Sequence, residues 1–271
     1  MTWMRWLWLL LPYTAVAAET AAESWRIETL ETHALPGACG TVRRLRCSIG
    51  PGGPGALITA AVLVVERCRT RLVDQPSGFP LGARSVARTL SEARVTDPAA
   101  VLAVNGGYFT RDFASDGLFR LAGVAHQLLS DKAVLSGILA IDAQGRPSLL
   151  SRQADLTAYP EALQAGPFVV DPGGLPGVKT PGPAARRTVI ASTADGRILV
   201  LVTAPLTLAA VSTLLVDNAA DFGVTRIERA LNLDGGPSAG LVAQTANGIV
   251  SLPELGPVRN VVLISAAEAR P

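Results

Sequence analysis

Apolar positions along this chain follow two rhythms. Runs of strand length, alternating or continuous, occupy Trp25–His33, Leu57–Glu66, Thr70–Val73, Val101–Val104, Leu118–Val124, Gly137–Ile141 and Pro147–Leu150. DAQGR joins the last two as a turn. Thr188–Ser192 and Ile198–Thr203 form a second hairpin pattern around ADGR, where Asp-Gly suits a tight turn. Arg226–Leu233 and Asn260–Ile264 complete the strands. Helical spacing is brief at Ser85–Arg94 and strong at Thr207–Phe222, where Leu208, Val211, Leu215, Ala219 and Phe222 recur before a stop at Gly223. Gln75–Pro80 and Pro172–Pro183 carry loop chemistry. Strands outnumber helices and connections are short. The pattern predicts an α+β fold, a mixed and largely antiparallel β-sheet with a few packed helices, in a single domain.

The first seventeen residues break this rhythm. One cation in Met1–Arg5, an apolar Trp6–Leu11 and the small-x-small Ala15-Val16-Ala17 read as a signal peptide over 1–17, leaving 18–271 as the exported, periplasmic or secreted domain. Glu19 and Glu23 follow too soon for a membrane span, so no stable span is expected after cleavage. Composition agrees with a packed core, at 49% hydrophobic and 17% charged residues. The formal charge of +2, from 24 Lys+Arg against 22 Asp+Glu, gives no reason to expect a nucleic-acid partner. The one dense basic run, Arg43, Arg44 and Arg46, reads as a solvated turn. Export permits a disulfide, and the odd count of three cysteines leaves one unpaired. Short-range pairing, Cys39–Cys47 or Cys47–Cys68, is the expectation.

Two segments share one design. In AVNGG (Ala103–Gly107) and NLDGG (Asn232–Gly236) an apolar strand ends in a polar residue followed by two glycines. A strand end holds the polar side chain at the rim of a sheet, and glycines allow close approach and an anion-binding run of N–H groups. Asp234 suits acid/base, nucleophilic or metal-ligand chemistry, and Asn105 suits orientation of a bound group. An ordinary strand-to-turn transition competes with both readings. Arg186 and Arg187 open a strand, where a guanidinium can fork a phosphate or stand as a solvated charge. His126 is one of two histidines, with a structural role as the alternative.

Taken in order, NGGYF (Asn105–Phe109), DGLFRLAGV (Asp116–Val124), QAGPFVV (Gln164–Val170), ARRTVIASTADGRILVLV (Ala185–Val202) and ALNLDGGPSAGL (Ala230–Leu241) resemble the phosphodiester glycosidase family over about 101–264. The resemblance implies hydrolysis of a sugar joined through its anomeric carbon to a phosphodiester, with a small-molecule or glycan phosphodiester as substrate. It places the family's Asn-Gly-Gly on Asn105, Gly106 and Gly107, its arginine on Arg187 with Arg186 the alternative, and its Asp-Gly-Gly on Asp234, Gly235 and Gly236. The chain departs from the family's Asp-Gly-Gly-Gly-Ser-Ser at Pro237 and Ala239, keeping Ser238 alone. Pro237 removes one N–H from the expected cradle.

The expectation is therefore catalysis by Asp234 as base or nucleophile, with Arg187 on phosphate and Asn105 orienting the substrate. Gly106, Gly107, Arg186, Gly235, Gly236, Ser238 and His126 are the expected substrate contacts. A phosphate leaving group needs little acid assistance, and Asp112, Asp116 and Glu161 are equal candidates for a second acid. No cofactor is expected. A divalent cation on Asp234 is conceivable, but no recognised metal-ligand set accompanies it. The alternative class is a non-catalytic envelope protein that binds glycan or phosphate with the same residues, and a serine-histidine-aspartate hydrolase stands third.

Overall fold

The computed structural model describes residues 24–50, 55–75 and 85–267. The expected leader, 1–17, and residues 76–80 of the Gln75–Pro80 loop lie outside them. In chain order the strands are β1 (Trp25–Leu35), β2 (Gly40–Ile49), β3 (Ala56–Val64), β4 (Cys68–Asp74), β5 (Ala100–Asn105), β6 (Phe119–Leu121), β7 (Val124–Gln127), β8 (Gly137–Ile141) and β9 (Pro147–Ser151). They continue as β10 (Glu161–Ala165), β11 (Phe168–Asp171), β12 (Leu175–Pro176), β13 (Thr188–Thr193), β14 (Arg197–Thr203), β15 (Ile227–Asn232), β16 (Leu241–Thr245), β17 (Gly248–Leu252) and β18 (Asn260–Ala266). Helix α1 (Val86–Thr96) precedes β5 and α2 (Leu208–Asp217) precedes β15. Among the described residues no helix is long and apolar enough to cross a membrane.

Three sheets result, ordered β1-β2-β3-β14-β13-β15-β11-β12, β7-β6-β10-β8-β9 and β17-β16-β5-β18-β4. The architecture is the expected α+β, with antiparallel pairing throughout, as in β13 with β14, β14 with β3, and β5 with β18. One core lies between the sheets, and all three contribute to it: Ala61, Ile190, Val200 and Leu231 from the largest, Leu139 and Leu163 from the second, Val104 and Val262 from the third. The alternate residues Ile58, Ala60, Val189, Ala191 and Leu199 point to the other face of the large sheet, where α2 supplies Val211, Leu214 and Leu215. Period-two alternation thus buries both faces, which is why these strands read as nearly continuous apolar runs. Helix α1 closes the third sheet over Ala103 and Leu263.

Several elements differ from expectation for local reasons. The stretch Thr207–Phe222 is not one helix. Thr207 caps α2 by accepting from the Ala210 N–H at 3.1 Å, the helix ends at Asn218, and a separate 3-10 turn covers Ala219–Phe222. Leu118–Val124 splits into β6 and β7 around Ala122 and Gly123, both at positive φ. The arginine run is not a turn but lies within β2. Val42, Leu45 and Cys47 are buried there, while Arg44 and Arg46 stand opposite Glu31 and Glu28 of β1 and pair with them. Charge at alternate positions concealed a strand.

The cysteine expectation is corrected. Cys39 bonds to Cys68, with Cα atoms 5.2 Å apart, and Cys47 is the free, buried thiol. Cys39 and Cys68 face the inter-sheet core, whereas Cys47 points to the α2 side, so neither short-range pairing can form. Burial pushes the Cys47 thiol up to about 12.

Candidate active site

Two of the sheets meet where β5, β13 and β15 end or begin. Asn105 is the last residue of β5, Arg187 immediately precedes β13, and Asp234 lies two residues beyond β15. Because β13 and β15 are antiparallel neighbours, with Val189 opposite Asn232, Arg187 and Asp234 emerge at the same end of one sheet. Asn105 comes from another sheet and joins them. Its Nδ2 donates to the Asp234 carbonyl at 2.7 Å, while its Oδ1 accepts from Thr188 Oγ1 at 2.6 Å and from the Gly240 N–H at 3.1 Å. The Asp234 N–H returns a bond to the Gly106 carbonyl at 2.9 Å. Asn105 is fully buried, and its amide is occupied by protein partners.

The glycines serve this junction rather than an open anion cradle. A Cβ on Gly106 would fall 2.0 Å from Asn260 Oδ1, and that oxygen accepts from the Gly107 N–H at 2.7 Å. The Gly106 N–H donates to the Asn260 carbonyl. In the second motif the Gly235 N–H donates to Asp234 Oδ1 at 2.8 Å, and the Gly236 N–H to the Arg186 carbonyl at 2.8 Å. Gly236 also holds a φ of 59°, a left-handed conformation that glycine adopts without strain.

Asp234 carries a half-buried carboxyl group. Loss of hydration pushes its pKa up to about 6, opposed by the Ser238 hydroxyl and the Gly235 N–H. Ser238 Oγ also lies 2.9 Å from the Pro257 carbonyl, so its single proton has two acceptors, that carbonyl and the Asp234 carboxylate. Arg187 is anchored through two of its nitrogens. Nε donates to the Leu206 carbonyl at 3.0 Å and Nη2 to the Pro183 carbonyl at 2.5 Å, leaving Nη1 without a partner among the described residues. Partial burial lowers its pKa, and the neighbouring Tyr108 raises it. No described carboxylate forms a salt bridge with Arg187, and no described cation does so with Asp234.

Tyr108, the fourth residue of NGGYF, which sequence reading did not single out, interacts electrostatically with both Arg187 and Asp234. Its hydroxyl donates to the Gly166 carbonyl at 2.8 Å and accepts from Asn232 Nδ2 at 2.5 Å. The phenol is pushed up by burial and by Asp234, and drawn down by Arg187. One side chain thus lies within electrostatic range of both charged groups. Gly166 lies in a cis peptide with Pro167. That segment, part of the QAGPFVV motif, is one wall of the site. The signal available was the juxtaposition of an aromatic hydroxyl and a strand-end asparagine in two motifs already chosen for their neighbours.

Other expected residues lie elsewhere. Arg186 turns its guanidinium to the Pro253 carbonyl at 2.9 Å, on the side of Glu254. His126 is exposed on β7, its ring 6.3 Å from that of Phe119. Asp116 pairs with Lys132, and Asp112 is exposed. Glu161 accepts the Leu72 N–H at 2.5 Å and so caps the edge of β4. Gly236–Gly240 spells G-x-S-x-G, which sequence reading passed over. It is not a nucleophile elbow here: Ser238 is buried on a 3-10 turn, and neither His33, beside Glu31, nor His126 contacts it. Among the described residues no group of three or more His, Cys, Asp or Glu could hold a metal ion.

Comparison with known proteins gives a consistent picture. A family model described as phosphodiester glycosidase matches residues 98–265. No curated protein matches the chain by sequence. The fold is similar to the catalytic domain of zebrafish N-acetylglucosamine-1-phosphodiester alpha-N-acetylglucosaminidase, auto-inhibited by its pro-peptide, with a TM-score of 0.54, 16% identity, and coverage of 93% of this chain and 85% of that one. It is also similar to a hypothetical protein from Synechocystis, with a TM-score of 0.60, 13% identity, and coverage of 91% and 68%.

Proposed function

The chain belongs to the phosphodiester glycosidase family, and from that premise we propose that it is an exported hydrolase of sugar-1-phosphodiesters, with Asp234 acting at the anomeric carbon and Arg187 holding phosphate. The observation that carries this reading is the pair of half-buried, opposite charges kept apart. Among the described residues Arg187 has no carboxylate partner and Asp234 no cationic one, although both act electrostatically on Tyr108. Keeping unpaired charges away from water costs stability, and an arrangement that does so is suited to a charged ligand.

The division of labour follows from the donors that remain. Two anchored nitrogens fix the Arg187 plane, and the free Nη1 edge presents donors to a phosphate oxygen without reorganisation. With a pKa of about 6, Asp234 is mostly ionised at neutral pH, as a base or nucleophile must be. The departing phosphate carries its own negative charge and needs little protonation, which suits a site holding one carboxylate. Asn105 acts as a positioning residue in this scheme: it fixes the Asp234 backbone and contacts no substrate atom. Tyr108, within electrostatic range of both charges, stays protonated as a neutral hydrogen-bonding group.

A release assay on sugar-1-phosphodiesters tests this. Wild-type protein should liberate free sugar, and Asp234→Asn and Arg187→Ala should each lose at least about a hundredfold in kcat/KM, the scale of removing one transition-state contact. Binding of such esters without turnover in the wild type would instead point to a non-catalytic binding protein.

A further inference from the structure

Around the rim of the site, aliphatic side chains are left in water. After β6 the chain returns as β7, exposed along its whole length, and continues through Leu128 and Leu129 to Val134. Exposure in this stretch runs from 51% at Val134 to 77% at Leu128, with Val124 and Leu129 between. Single exposed aliphatics are common, but four in one short stretch mark an interaction surface. The stretch is also held in place. The buried Gln164 accepts from the Ser130 N–H at 2.8 Å and donates to the carbonyls of Ser130 at 2.8 Å and Leu135 at 2.9 Å. Lys132 is tied to Asp116. These aliphatics are therefore presented by a pinned loop.

The loop adjoins the site directly. A Cβ on Gly166 would lie 2.1 Å from the Val134 carbonyl oxygen, and the Gly166 carbonyl is the acceptor of the Tyr108 hydroxyl. On the Asp234 side, Pro237 accepts the Leu255 N–H at 2.7 Å, and Leu255 is 76% exposed. Loops that carry exposed aliphatic residues thus abut the Gly166 and Pro237 segments of the site through backbone contacts.

We propose that this rim receives the hydrocarbon chain of the aglycone, so that the preferred substrate is a sugar-1-phosphodiester of a long-chain alcohol. The proposal rests on the hydrolase reading above. A phosphodiester held at Arg187 carries sugar on one oxygen and an alcohol on another. The sugar needs polar partners, and the alcohol side is assigned to the rim, whose loop meets the site at Gly166. The reaction remains a hydrolysis: water adds a hydroxyl to the anomeric carbon, the bond from that carbon to the phosphate oxygen breaks, and the alkyl phosphate departs with the remaining proton balanced by solvent.

The test compares methyl and dodecyl esters of one sugar-1-phosphate, together with calorimetric binding of methyl and dodecyl phosphate below micelle-forming concentration. Wild type should favour the dodecyl ester at least tenfold in kcat/KM and bind dodecyl phosphate at least tenfold more tightly. The triple variant Leu128→Asp, Leu129→Asp, Val134→Asp should lose both preferences while keeping its methyl-ester kcat/KM within twofold. Leu128→Asp alone serves where the triple variant fails to fold by circular dichroism, and should reduce both preferences. Equal binding of the two phosphates overturns the rim assignment, whether or not either ester is cleaved, as does a preference unchanged in the variant. Tighter dodecyl phosphate binding with no turnover of either ester supports the rim and strikes the hydrolase reading instead. A dimer that dissociates in the variant, with equal phosphate binding, gives the surface to a second copy of the chain and overturns the proposal.

Discussion

The Asn105 side chain donates to the main-chain carbonyl of Asp234 across 2.7 Å, joining residues 129 positions apart and two different sheets. The same amide accepts from Thr188 and Gly240. Removing it leaves several buried groups unpaired at about 1–3 kcal/mol each, partly relieved by relaxation. Asn105→Ala should therefore lose about 2–4 kcal/mol in denaturant unfolding and also reduce kcat. Asn105→Asp should be no better, because it turns a carboxylate oxygen toward the Asp234 carbonyl.

Arg187 should not tolerate lysine. Its plane is fixed by the carbonyls of Leu206 and Pro183, and a lysine ammonium cannot hold both and still offer a flat donor edge. Arg187→Lys should recover at most a small part of the activity lost in Arg187→Ala. The loss should appear largely in KM if phosphate is bound equally in ground and transition states. Arg186→Ala, whose guanidinium meets Pro253, should change kcat/KM far less.

The raised pKa of Asp234 fixes the sign of two pH effects. An aspartate shifted upward on folding binds its proton more tightly in the folded chain. Its contribution to stability is therefore greatest at low pH and declines as pH rises from the usual carboxylate range through about 6. Asp234→Asn should flatten that decline and, at pH 7–8, raise stability by up to about 3 kcal/mol, a ceiling reduced by the partial exposure of the group. Activity should run the other way in the wild type, with kcat/KM rising through about pH 6 and then levelling. A variant more stable than wild type and nearly inactive is the expected signature, measured by thermal unfolding and initial rates across pH 4–8.

The Cys39–Cys68 bridge closes a segment with a sequence separation of 29. The chain-entropy relation gives about 3–4 kcal/mol for a loop of that length. Reduction or Cys39→Ser with Cys68→Ser should lower stability by an amount of that order. Cys47 should resist alkylation in the folded protein, since burial holds its thiol up at about 12 and denies access. Labelling at one cysteine only after unfolding, counted by mass spectrometry under non-reducing conditions, checks both statements.

Legibility in the sequence followed the physics of each element. Strands with both faces buried, such as β5 and β14, announce themselves as apolar runs. Strand β2 did not, because its outward arginines are balanced by glutamates on a strand far enough upstream to be invisible locally. The ends of α2 depended on Thr207 and Asn218, and only the first has an unambiguous capping signature. At the candidate site, the strand-end positions of Asn105 and Asp234 were readable. Their bonding was not, since occupancy of the Asn105 amide is set by Thr188 and Gly240. Tyr108 and Asn232 escaped notice because their significance lies in one hydroxyl shared across 124 positions. The cysteine pairing depended on which face of β2 Cys47 took, information carried by the strand that was missed.

The central claim is that Asp234 and Arg187 together cleave the bond between a sugar and a phosphodiester. The most direct test follows release of free sugar from a sugar-1-phosphodiester at pH 7 by wild type, Asp234→Asn and Arg187→Ala, each first confirmed folded. Turnover by wild type with at least about a hundredfold loss in both variants is the predicted result. Undiminished turnover by Asp234→Asn would contradict it.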